Sequence, residues 1–492
     1  MRLSDLTGCL PFYEIKGPES DPEILKVCHH HQDVEPGSLF AAIKGEKADG
    51  RFYIEKAIEK GAAAILSDTE HHLNVPVVIV KHPRHALAYI ANQFYDYPSF
   101  DLNVIGVTGT NGKTTVTHMV QAILEASETK TGIIGTLYVK QGNVVKKAEN
   151  TTPDSLLLQQ TLAEFRSEGV EVAILEASSH GLSQGRMFGC DVDIAIFTNL
   201  TQDHLDYHET MEHYKWSKTL LFSQLGHSHV NNAPKFAVLN HDDPFTEEIT
   251  AATSAHIITY GLTAESDIYA ENLIQSKETT SFTLCTPSGK ADIQLNFAGL
   301  FNVYNALASA AAAFVKRIPI EIIVKGLESI IGVPGRFEIV KHDSPFTVIV
   351  DYAHTPDSLK NILSAARKMN PRKLITVIGC GGDRDRAKRP VMARIACEQA
   401  DHAIFTSDNP RTEDPKKILR DMEKGVHGRA YKTIEDRREA IKYAIAKASE
   451  GDIIIIAGKG HEKFQLIKND KIPFDDKSVA EDFLNKFQLE DV

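Results

Sequence analysis

The residues with the clearest chemistry lie in the segment GVTGTNGKTT, from Gly106 to Thr115. A phosphate-binding loop usually reads G-x-x-x-x-G-K-[ST], but the position five residues before Gly112 is Val107, so the first glycine is displaced. The segment still joins an apolar strand to a helical stretch, as a phosphate loop does. Its backbone N–H groups can hold phosphate oxygens, Lys113 can reach the β and γ phosphates, and the Thr114 hydroxyl can coordinate Mg²⁺. A glycine-rich helix start without a ligand is the alternative, which G-K-T-T in this context disfavours.

Acidic and imidazole side chains follow later apolar strands. The segment VAILEASSHGL ends its strand in Glu176, and a carboxylate at that place can hold Mg²⁺ opposite a phosphate loop. Further along, His204 and His208 are four residues apart and would share one helix face, which raises a zinc site as an alternative. No H-E-x-x-H glutamate lies between them, so we favour Mg²⁺, with solvated polar residues as the other alternative. Lys218, taken alone, is typical of a surface lysine on a helix.

Alternating strand and helix patterns divide the chain. Residues 37–80 read as a small α/β unit, and aromatic, proline and polar residues near 98–102 interrupt the periodicity. Strands then alternate with helices up to the alanine-rich helix at 302–316, which predicts a parallel sheet covered on both faces. Glycine and proline punctuate 331–340, and four apolar strands follow, each ending in small or polar residues. Ligands of such sheets collect at the carboxyl ends of the strands.

These patterns predict an α/β fold class with several domains. At about 100–200 residues per domain, 492 residues suit three. We expect a small N-terminal α/β domain at 1–100, a central P-loop domain with a parallel sheet at 101–334, and a C-terminal Rossmann-like domain at 335–492.

The amino-acid composition limits the cellular compartment and the classes of partner that we expect for this chain. The chain has 42% hydrophobic and 24% charged residues, no signal-peptide core and no stretch near the ~18 apolar residues of a membrane span, so we expect a cytoplasmic protein without membrane insertion. We also expect a monomer. A net charge of −12 argues against nucleic acid as a partner, although a basic pocket can bind a phosphorylated small molecule. The histidines in CHHHQD and EHH fit no zinc spacing and are interpreted as solvated. The cysteines suit free thiols, without a C-x-x-C pair, at positions 9, 28, 190, 285, 380 and 397.

Nine motifs together resemble the Mur ligases, the amide ligases of peptidoglycan precursor synthesis. They run in family order over most of the chain, from about residue 37 to residue 465, and the family's phosphate loop has the same glycine placement as Gly106 to Thr115. The motifs are GVTGTNGKTT, LEASSHGL, TNLTQDHLDYH, GLFNVYNALAS, GVPGRFE, DYAHTPDSL, GCGGDRDRAKRP, SDNPRTEDP and AGKGHE.

The resemblance implies a ligation of two small molecules driven by ATP. ATP phosphorylates the side-chain carboxylate of D-glutamate in a UDP-muramoyl dipeptide, and an amino group of the incoming amino acid attacks the acyl phosphate. Such a transfer needs charge neutralisation more than covalent help from the protein. By resemblance, two Mg²⁺ ions take part: Thr114 coordinates Mg²⁺ at the loop, and Glu176 and His204 bind the second ion. Lys218 takes up CO₂ to become a carbamate that ligates or orients the metal.

The resemblance also implies roles for binding residues. Arg336 resembles the hinge arginine near the phosphates, and Asp351 a C-terminal nucleotide contact. Asn305 could equally pack within its helix, and TTPDS also reads as a helix N-cap with proline in the first turn. The ATP-binding set is Gly109, Thr110, Asn111, Gly112, Lys113, Thr114, Thr115, Asn302, Asn305 and Asp351. The set that holds the UDP-sugar peptide is Thr151, Thr152, Ser178, Gln184 and Arg186.

The residues that would select the incoming amino acid indicate meso-diaminopimelate. Within the family DNPR is the signature for this amino acid, whose distal carboxylate is absent from lysine. Bidentate arginine suits a carboxylate, so a lysine-adding enzyme would not need Arg411, and Glu462 suits the distal ammonium. The set implied by resemblance is Arg384, Asp408, Asn409, Pro410, Arg411, Gly458 and Glu462.

The chain departs from the family pattern at the UDP end. The family usually shows D-S-R before P-G-S-L-F, with the serine near the UDP diphosphate, whereas this chain has HHHQ from His29 to Gln32. Next comes GEKADG, from Gly45 to Gly50, in place of the commoner G-H-x-x-D-G. Two alternatives therefore stay open: a related or folylpolyglutamate-like ligase acting on another carrier or amino acid, and a P-loop ATPase switch without ligation.

Overall fold

The computed structural model describes residues 1–45, 48–226, 234–276, 279–426 and 428–490, with side chains up to residue 486. Two positions of the GEKADG segment, Glu46 and Lys47, lie outside the described residues. None of the described helices combines the length and the apolar character that crossing a membrane requires.

The N-terminal part of the chain forms a small sheet with two apolar cores. Its strand order is β1-β5-β4-β3-β2, and only the β1–β5 pair is antiparallel among the described strands. One core lies under α3 around Leu39 and Leu66, and the other lies under α2 around Phe40 and Ile65, because successive strand residues point to opposite faces. The elements are α1 (Leu3–Thr7), β1 (Glu14–Lys16), β2 (Lys26–Cys28), β3 (Ser38–Ala41), α2 (Ile54–Glu59), β4 (Ala62–Ser67), β5 (Val77–Ile79) and α3 (Pro83–Phe94).

The central part is built on one long sheet of order β16-β15-β14-β13-β12-β11-β6-β10-β7-β8-β9, as far as the chain is described. Its strands are β6 (Asn103–Thr108), β7 (Thr131–Ile134), β8 (Tyr138–Gln141), β9 (Val144–Lys147), β10 (Val172–Glu176), β11 (Ile194–Phe197), β12 (Phe236–Asn240), β13 (His256–Gly261), β14 (Ile268–Gln275), β15 (Thr280–Thr286) and β16 (Gly289–Leu295). Its helices are α4 (Lys113–Ala126), α5 (Ser155–Ser167), α6 (Ser179–Ser183), α7 (Leu205–His208), α8 (Met211–Ser223), α9 (Thr246–Ala252), α10 (Leu300–Val315) and α11 (Ile320–Glu328).

The parallel middle of this sheet is covered on both faces, as its apolar strands predict. Ile105 and Val107 face α4 and α10, while Val104 faces the core that α5 and α8 cover. At the two edges the sheet continues as antiparallel strands, β8–β9 on one side and β14–β16 on the other. The alternation pattern does not predict these antiparallel edges, because strand direction depends on which partner each strand meets.

The C-terminal part forms a third sheet of order β17-β18-β22-β19-β20-β21, parallel except for β17 within the described residues. The strands are β17 (Glu338–Ile339), β18 (Thr347–Asp351), β19 (Leu374–Ile378), β20 (His402–Phe405), β21 (Tyr431–Thr433) and β22 (Ile453–Ala457), followed by the hairpin β23 (Phe464–Ile467) and β24 (Asp470–Pro473). The helices are α12 (Pro356–Lys368), α13 (Lys388–Gln399), α14 (Pro415–Glu423), α15 (Arg437–Lys447) and α16 (Asp476–Glu490). The α/β fold class is confirmed, and the strands ending at Asp351, Ile378, Phe405 and Ala457 are the four apolar strands of the sequence.

Candidate active site

The displaced glycine of the phosphate loop belongs to a strand. Gly106 lies inside β6, where a Cβ atom would come 3.2 Å from a methyl carbon of Leu221. The loop itself bends at Gly109, with φ +146°, and at Gly112, with φ +90°. A Cβ at Gly112 would lie 2.5 Å from Oδ1 of Asn305, and one at Gly109 would collide with the Thr198 hydroxyl. The loop therefore needs glycine at these two bends, and Gly106 serves strand packing.

Lys113 closes over the loop that precedes it. Its ammonium donates to the carbonyl oxygens of Gly109 at 2.8 Å and Thr110 at 3.0 Å. Burial lowers the pKa of Lys113, and the nearby Arg336 adds to this while Glu176 opposes it. Because α4 begins at Lys113, the helix N-terminus and the ammonium face the same space, which suits phosphate oxygens.

Glu176 ends β10 beside the loop and is almost fully buried, at 1% exposure. Its carboxylate accepts hydrogen bonds from the Thr114 hydroxyl at 3.0 Å and the Thr136 hydroxyl at 2.9 Å, and from the Thr136 N–H at 2.8 Å. Arg336, from the segment leading to the C-terminal sheet, donates to the Thr114 hydroxyl at 3.1 Å. Hydroxyl and carboxylate oxygens are the ligands that Mg²⁺ takes, so Thr114 and Glu176 are donors that would suit Mg²⁺.

His204 lies outside the helix that follows it. Its φ of +55° is left-handed, and α7 begins only at Leu205, so the expectation that His204 and His208 share one helix face is wrong. In the described part of the chain no three His, Cys, Asp or Glu side chains gather as a zinc site requires. Burial lowers the pKa of His204 well below its usual range even though Asp203 Oδ2 lies 3.2 Å from Nε2. A neutral imidazole can ligate a metal.

Lys218 is buried, at 1% exposure, so its interpretation as a surface lysine is wrong. Its ammonium donates to the Gly109 carbonyl at 2.8 Å and lies 4.5 Å from the ring centroid of Tyr214. Among the described residues it forms no ion pair with a carboxylate. Burial lowers the pKa of Lys218 well below its usual range, and the neighbouring Lys113 cation adds to this, so the neutral amine is favoured.

Side chains of the C-terminal part meet the central site through Asp203. Its carboxylate lies 3.8 Å from His354 Nε2 and 3.8 Å from Lys388 Nζ. Burial by itself would raise the pKa of Asp203, but His204, His354 and Lys388 lower it far below its usual range. Arg384 lies 3.9 Å from Asp206 in the same region. Asp203 therefore joins residues from two sheets at one site.

A central cavity of about 670 Å³ brings most of the predicted residues together. Lys113, Thr114, Glu176, His204 and Arg336 all line it. Lys218 does not line it and lies behind the loop, against Gly109. Further predicted residues at this cavity are Thr110, Asn111, Gly112, Thr151, Ser178, Gln184, Arg186 and Arg384.

The predicted nucleotide residues surround an adjoining cavity of about 320 Å³. Thr115, Asn305 and Asp351 line it, together with Asn111 and Gly112, which also line the central cavity. Asp351 accepts hydrogen bonds from two backbone N–H groups at 2.6 and 2.7 Å, and burial raises its pKa.

Asn302 does not line that cavity. It is buried, at 3% exposure, and its Oδ1 accepts a hydrogen bond from Asn305 Nδ2 at 3.3 Å. Asn302 thus orients Asn305 from behind, and Asn305 alone of the pair meets the open space.

Thr152, one of the residues predicted to hold the UDP-sugar peptide, is hydrogen-bonded to two other residues of the site. Its hydroxyl donates to the Glu176 carbonyl at 2.7 Å, and its carbonyl accepts from Arg186 Nη1 at 2.6 Å. The cap of α5 is Asp154, which accepts from the N–H groups of Leu156 and Leu157, so proline precedes the cap instead of occupying the first turn.

The residues predicted for the amino acid surround Lys459, which the sequence did not single out. The Lys459 ammonium is fully buried and donates to Asn409 Oδ1 at 3.1 Å, Glu462 Oε2 at 2.9 Å and the Phe464 carbonyl at 2.5 Å. Asn409 Nδ2 also donates to Glu462 Oε2 at 2.7 Å. Burial alone would raise the pKa of Asp408, but the Lys459 and Arg437 cations lower it. The ionised form of Asp408 is therefore favoured beside two buried cations.

Arg411 and Arg384 supply positive charge at the same place. A Cβ at Gly381 would come 2.8 Å from Arg411 Nη1 and 3.7 Å from Arg384 Cγ, so both arginines lie against this glycine. Arg411 has a left-handed φ of +51° and donates from Nη1 to the Gly382 carbonyl at 2.8 Å, while β23 pairs with its backbone. Burial and the Arg384 cation lower the pKa of Arg411.

Two further residues of the predicted set shape the backbone around this pocket. Gly458 has φ +117°, and a Cβ there would lie 2.7 Å from Asp408 Oδ2. The carbonyl of Pro410 lies so close to Gly382 that a Cβ on Gly382 would collide with it. Both contacts need glycine, so they fix how closely the loops approach each other.

Four residues with contacts at the site were not predicted from the sequence: Thr136, His354, Lys388 and Lys459. The last three lie inside the motifs DYAHTPDSL, GCGGDRDRAKRP and AGKGHE, so these motifs could have identified them as site residues. Thr136 lies in none of the motifs, and only its contacts with Glu176 reveal it.

Comparison with known proteins finds similarity over nearly the whole chain. Three family profiles match: "Mur ligase family, catalytic domain" over residues 30–95, "Mur ligase middle domain" over 107–313, and "Mur ligase, glutamate ligase domain" over 335–460. The chain is 51% identical over 483 residues to a protein of Geobacillus thermodenitrificans and 50% identical over 480 residues to one of Bacillus velezensis. Both carry the name UDP-N-acetylmuramoyl-L-alanyl-D-glutamate–2,6-diaminopimelate ligase, and each alignment covers 98% of both chains.

A solved structure with that enzyme name superposes with a TM-score of 0.69 at 34% identity, covering 99% of this chain and 100% of its own. The resemblance seen in the sequence motifs is thereby confirmed. The chain belongs to the Mur ligase family of ATP-dependent ligases.

Proposed function

We propose that this chain adds meso-diaminopimelate to the D-glutamate side-chain carboxylate of UDP-N-acetylmuramoyl-L-alanyl-D-glutamate, as its relatives' names describe, using ATP. The observation that carries the proposal is the shared cavity: Lys113 of the phosphate loop and Arg384 of the amino-acid pocket line the same space. A carboxylate activated at the loop can therefore meet an amine held at the pocket.

The reaction follows from the charges around the cavity. An oxygen of the substrate carboxylate attacks the γ phosphorus of ATP, and ADP leaves. The amine nitrogen then attacks the carbonyl carbon of the acyl phosphate, phosphate leaves, and the nitrogen loses a proton. Lys113 and Arg336 neutralise the phosphoryl oxygens during the first step, and the helix N-terminus at Lys113 contributes in the same direction.

Mg²⁺, when bound, neutralises phosphate charge beside these groups. Thr114, Glu176 and the neutral His204 would hold it, since they are oxygen and imidazole donors on one cavity. Lys218 would carry a carbamate: its neutral amine adds to CO₂ and releases a proton, giving an anion. Burial beside Lys113 supports this assignment, because an anion there would compensate a cation that has no carboxylate partner among the described residues.

The amino-acid pocket matches the two charged groups at the distal end of diaminopimelate. Arg411 and Arg384 would bind the distal carboxylate, while Glu462 and Asp408 would accept the distal ammonium. L-Lysine lacks this carboxylate, so it would leave the arginines without their anionic partner.

The same proposal includes the domains and the setting. The three sheets fall within residues 1–100, 101–334 and 335–492, which supports those domain limits for UDP-substrate, ATP and amino-acid binding respectively. The enzyme would work as a cytoplasmic monomer, and the free cysteines suit a reducing compartment.

The test is phosphate release from ATP with the UDP-muramoyl dipeptide, comparing meso-diaminopimelate with L-lysine. We expect release that depends on the dipeptide and is stimulated by diaminopimelate far more than by lysine. Absence of turnover with this dipeptide would contradict the proposal. Hydrolysis that ignores the amino acid would instead favour the ATPase switch.

A further inference from the structure

The hairpin turn between β7 and β8 lies at the carboxyl end of the central sheet, beside Glu176. Because β7 pairs with β10 in parallel, the turn that follows β7 falls next to the carboxylate that ends β10. The turn spans Gly135–Tyr138, and the N–H of Gly135 donates to the carbonyl of Tyr138 at 3.1 Å. A Cβ at Gly135 would collide with Oε1 of Glu176, so glycine lets the turn and the carboxylate approach this closely.

Thr136 binds the Glu176 carboxylate from this turn with two donors. Its N–H donates to Oε1 at 2.8 Å, and its hydroxyl donates to Oε2 at 2.9 Å. The same hydroxyl lies 3.0 Å from the hydroxyl of Thr151. Since a hydroxyl has one proton and a carboxylate only accepts, Thr151 donates to Thr136 while Thr136 donates to Glu176. Both oxygens of Glu176 are therefore held by one residue of the turn.

The other end of the turn reaches the phosphate-loop helix through His118. The hydroxyl of Tyr138 lies 2.7 Å from Nε2 of His118, and Nδ1 of the same ring lies 2.7 Å from the carbonyl oxygen of Thr114. Because a carbonyl only accepts, Nδ1 carries a proton and donates it to Thr114. His118 follows Thr114 by one turn of α4, so the imidazole holds the backbone of the residue whose hydroxyl contacts Glu176 at 3.0 Å.

We propose that the turn Gly135–Tyr138 positions the two oxygen donors of the Mg²⁺ site, with Thr136 orienting Glu176 and Tyr138 orienting Thr114 through His118. The inference rests on the proposed function, in which Thr114 and Glu176 hold Mg²⁺, and it deepens that function by naming the residues that align them. Groups that hydrogen-bond to metal ligands fix the direction of those ligands, and their loss weakens metal affinity or activity about 10- to 100-fold. Thr136, His118 and Tyr138 act through Thr114 and Glu176, so they are positioning residues.

The test compares the affinity of the full-length enzyme for ADP in Mg²⁺ with its affinity in EDTA, both measured by calorimetry. The ratio of the two affinities is the gain that the metal provides, and its measurement needs neither the UDP-dipeptide nor an amino acid. Thr136→Val removes the hydroxyl and nearly keeps the side-chain volume, whereas Thr136→Ser keeps the hydroxyl. Tyr138→Phe removes only the oxygen that meets His118. The matched controls are Thr250→Val and Tyr89→Phe, at exposed positions that do not line the central cavity.

We expect Thr136→Val to lower the gain from Mg²⁺ about tenfold, because Glu176 loses a donor that orients it. Tyr138→Phe should lower the gain about threefold, since one hydrogen bond that acts through His118 is lost. Thr136→Ser should restore most of the gain, and the affinity in EDTA should stay at the wild-type value in every variant. Both controls should match the wild type in Mg²⁺ and in EDTA.

A gain from Mg²⁺ that is the same in Thr136→Val, Tyr138→Phe and the wild type would overturn the inference. An equal loss of affinity in Mg²⁺ and in EDTA would also overturn it, because the turn would then shape the phosphate loop and not the metal donors. Tyr138→Phe keeps the test valid if Thr136→Val fails to fold, since it removes one oxygen from a partly exposed ring. A wild type that shows the expected gain, lowered in the variants, but does not turn over the UDP-dipeptide contradicts the proposed function alone.

Discussion

The Lys218 ammonium donates a hydrogen bond to the carbonyl oxygen of Gly109 at 2.8 Å, which ties helix α8 to the phosphate loop. The contact joins residues 109 positions apart, and Lys218 is buried where it forms. A lysine so placed is costly as a cation, since Lys113 lies nearby and Asp203, whose charge opposes this, forms no ion pair with it among the described residues. The proposed carbamate would replace this cation with an anion that can pair with Lys113.

The carbamate predicts chemical rescue. Lys218→Ala should lower kcat by about 10² or more, because a group that orients a metal is lost, and added acetate or formate should restore part of the activity. Lys215→Ala is the control, since Lys215 lies on the same helix but pairs with Glu248 at 2.6 Å near the surface. Initial rates with and without short carboxylates check this. No rescue, with no added mass on Lys218 in the intact protein, would indicate an ordinary lysine.

Arg411 should decide the choice of amino acid. Arg411→Ala should raise the KM for diaminopimelate about 10- to 100-fold, because a charge-assisted bond to its carboxylate is lost, and should leave the KM for ATP nearly unchanged. Arg420→Ala, an exposed arginine on α14, should change neither value. Steady-state kinetics with each substrate varied provide the measurement. Equal rises in both KM values would mean that Arg411 does not belong to the amino-acid pocket.

Lys459 should act on the amino-acid pocket through Asn409 and Glu462. Lys459→Met removes the donor that holds both side chains, so the KM for diaminopimelate should rise about tenfold while the KM for ATP stays close to its wild-type value. Lys463→Met, an exposed neighbour, is the matched control. If the variant instead loses kcat with both KM values unchanged, the lysine does not position this pocket.

Glu413 should make the C-terminal part sensitive to acid. Hydrogen bonds from the buried Arg389 lower the pKa of Glu413 to about 2, below the ~4.3 of an unfolded chain. The folded state therefore gains stability from this carboxylate above pH ~4.3 and loses it as the pH falls toward 2. Glu413→Gln should lower the thermal midpoint at neutral pH and flatten its decline in acid.

Thermal midpoints between about pH 7 and pH 3 test this dependence on both sides of the carboxylate's unfolded titration. The exposed Glu439 provides the control Glu439→Gln, whose midpoints should follow the wild type. An acid decline that is as steep in Glu413→Gln as in the wild type would exclude Glu413 as its source.

Much of the fold can be predicted from the amino-acid sequence because the patterns that indicate strands, loops and helices are local. The strand that ends at Thr108, the loop and the helix that begins at Lys113 follow from consecutive residues, and apolar runs mark the parallel strands. The motifs also identify the family, since their order along the chain is itself information. The antiparallel edges at β8–β9 and β14–β16 are hairpins of consecutive strands, and the alternation of strands with helices did not predict them because that pattern is typical of parallel strands.

The sequence by itself determined the α/β architecture, the phosphate loop and the family, all of which depend on residue type and short spacing. Only the tertiary structure decided that Lys218 is buried, that Thr136 holds Glu176, and that Lys459 lies beneath the proposed amino-acid pocket. The two bonds of Thr136 and Lys218 join residues 40 and 109 positions apart. Burial and partners at such separations follow from how the sheets and loops pack, which no local pattern of side chains encodes.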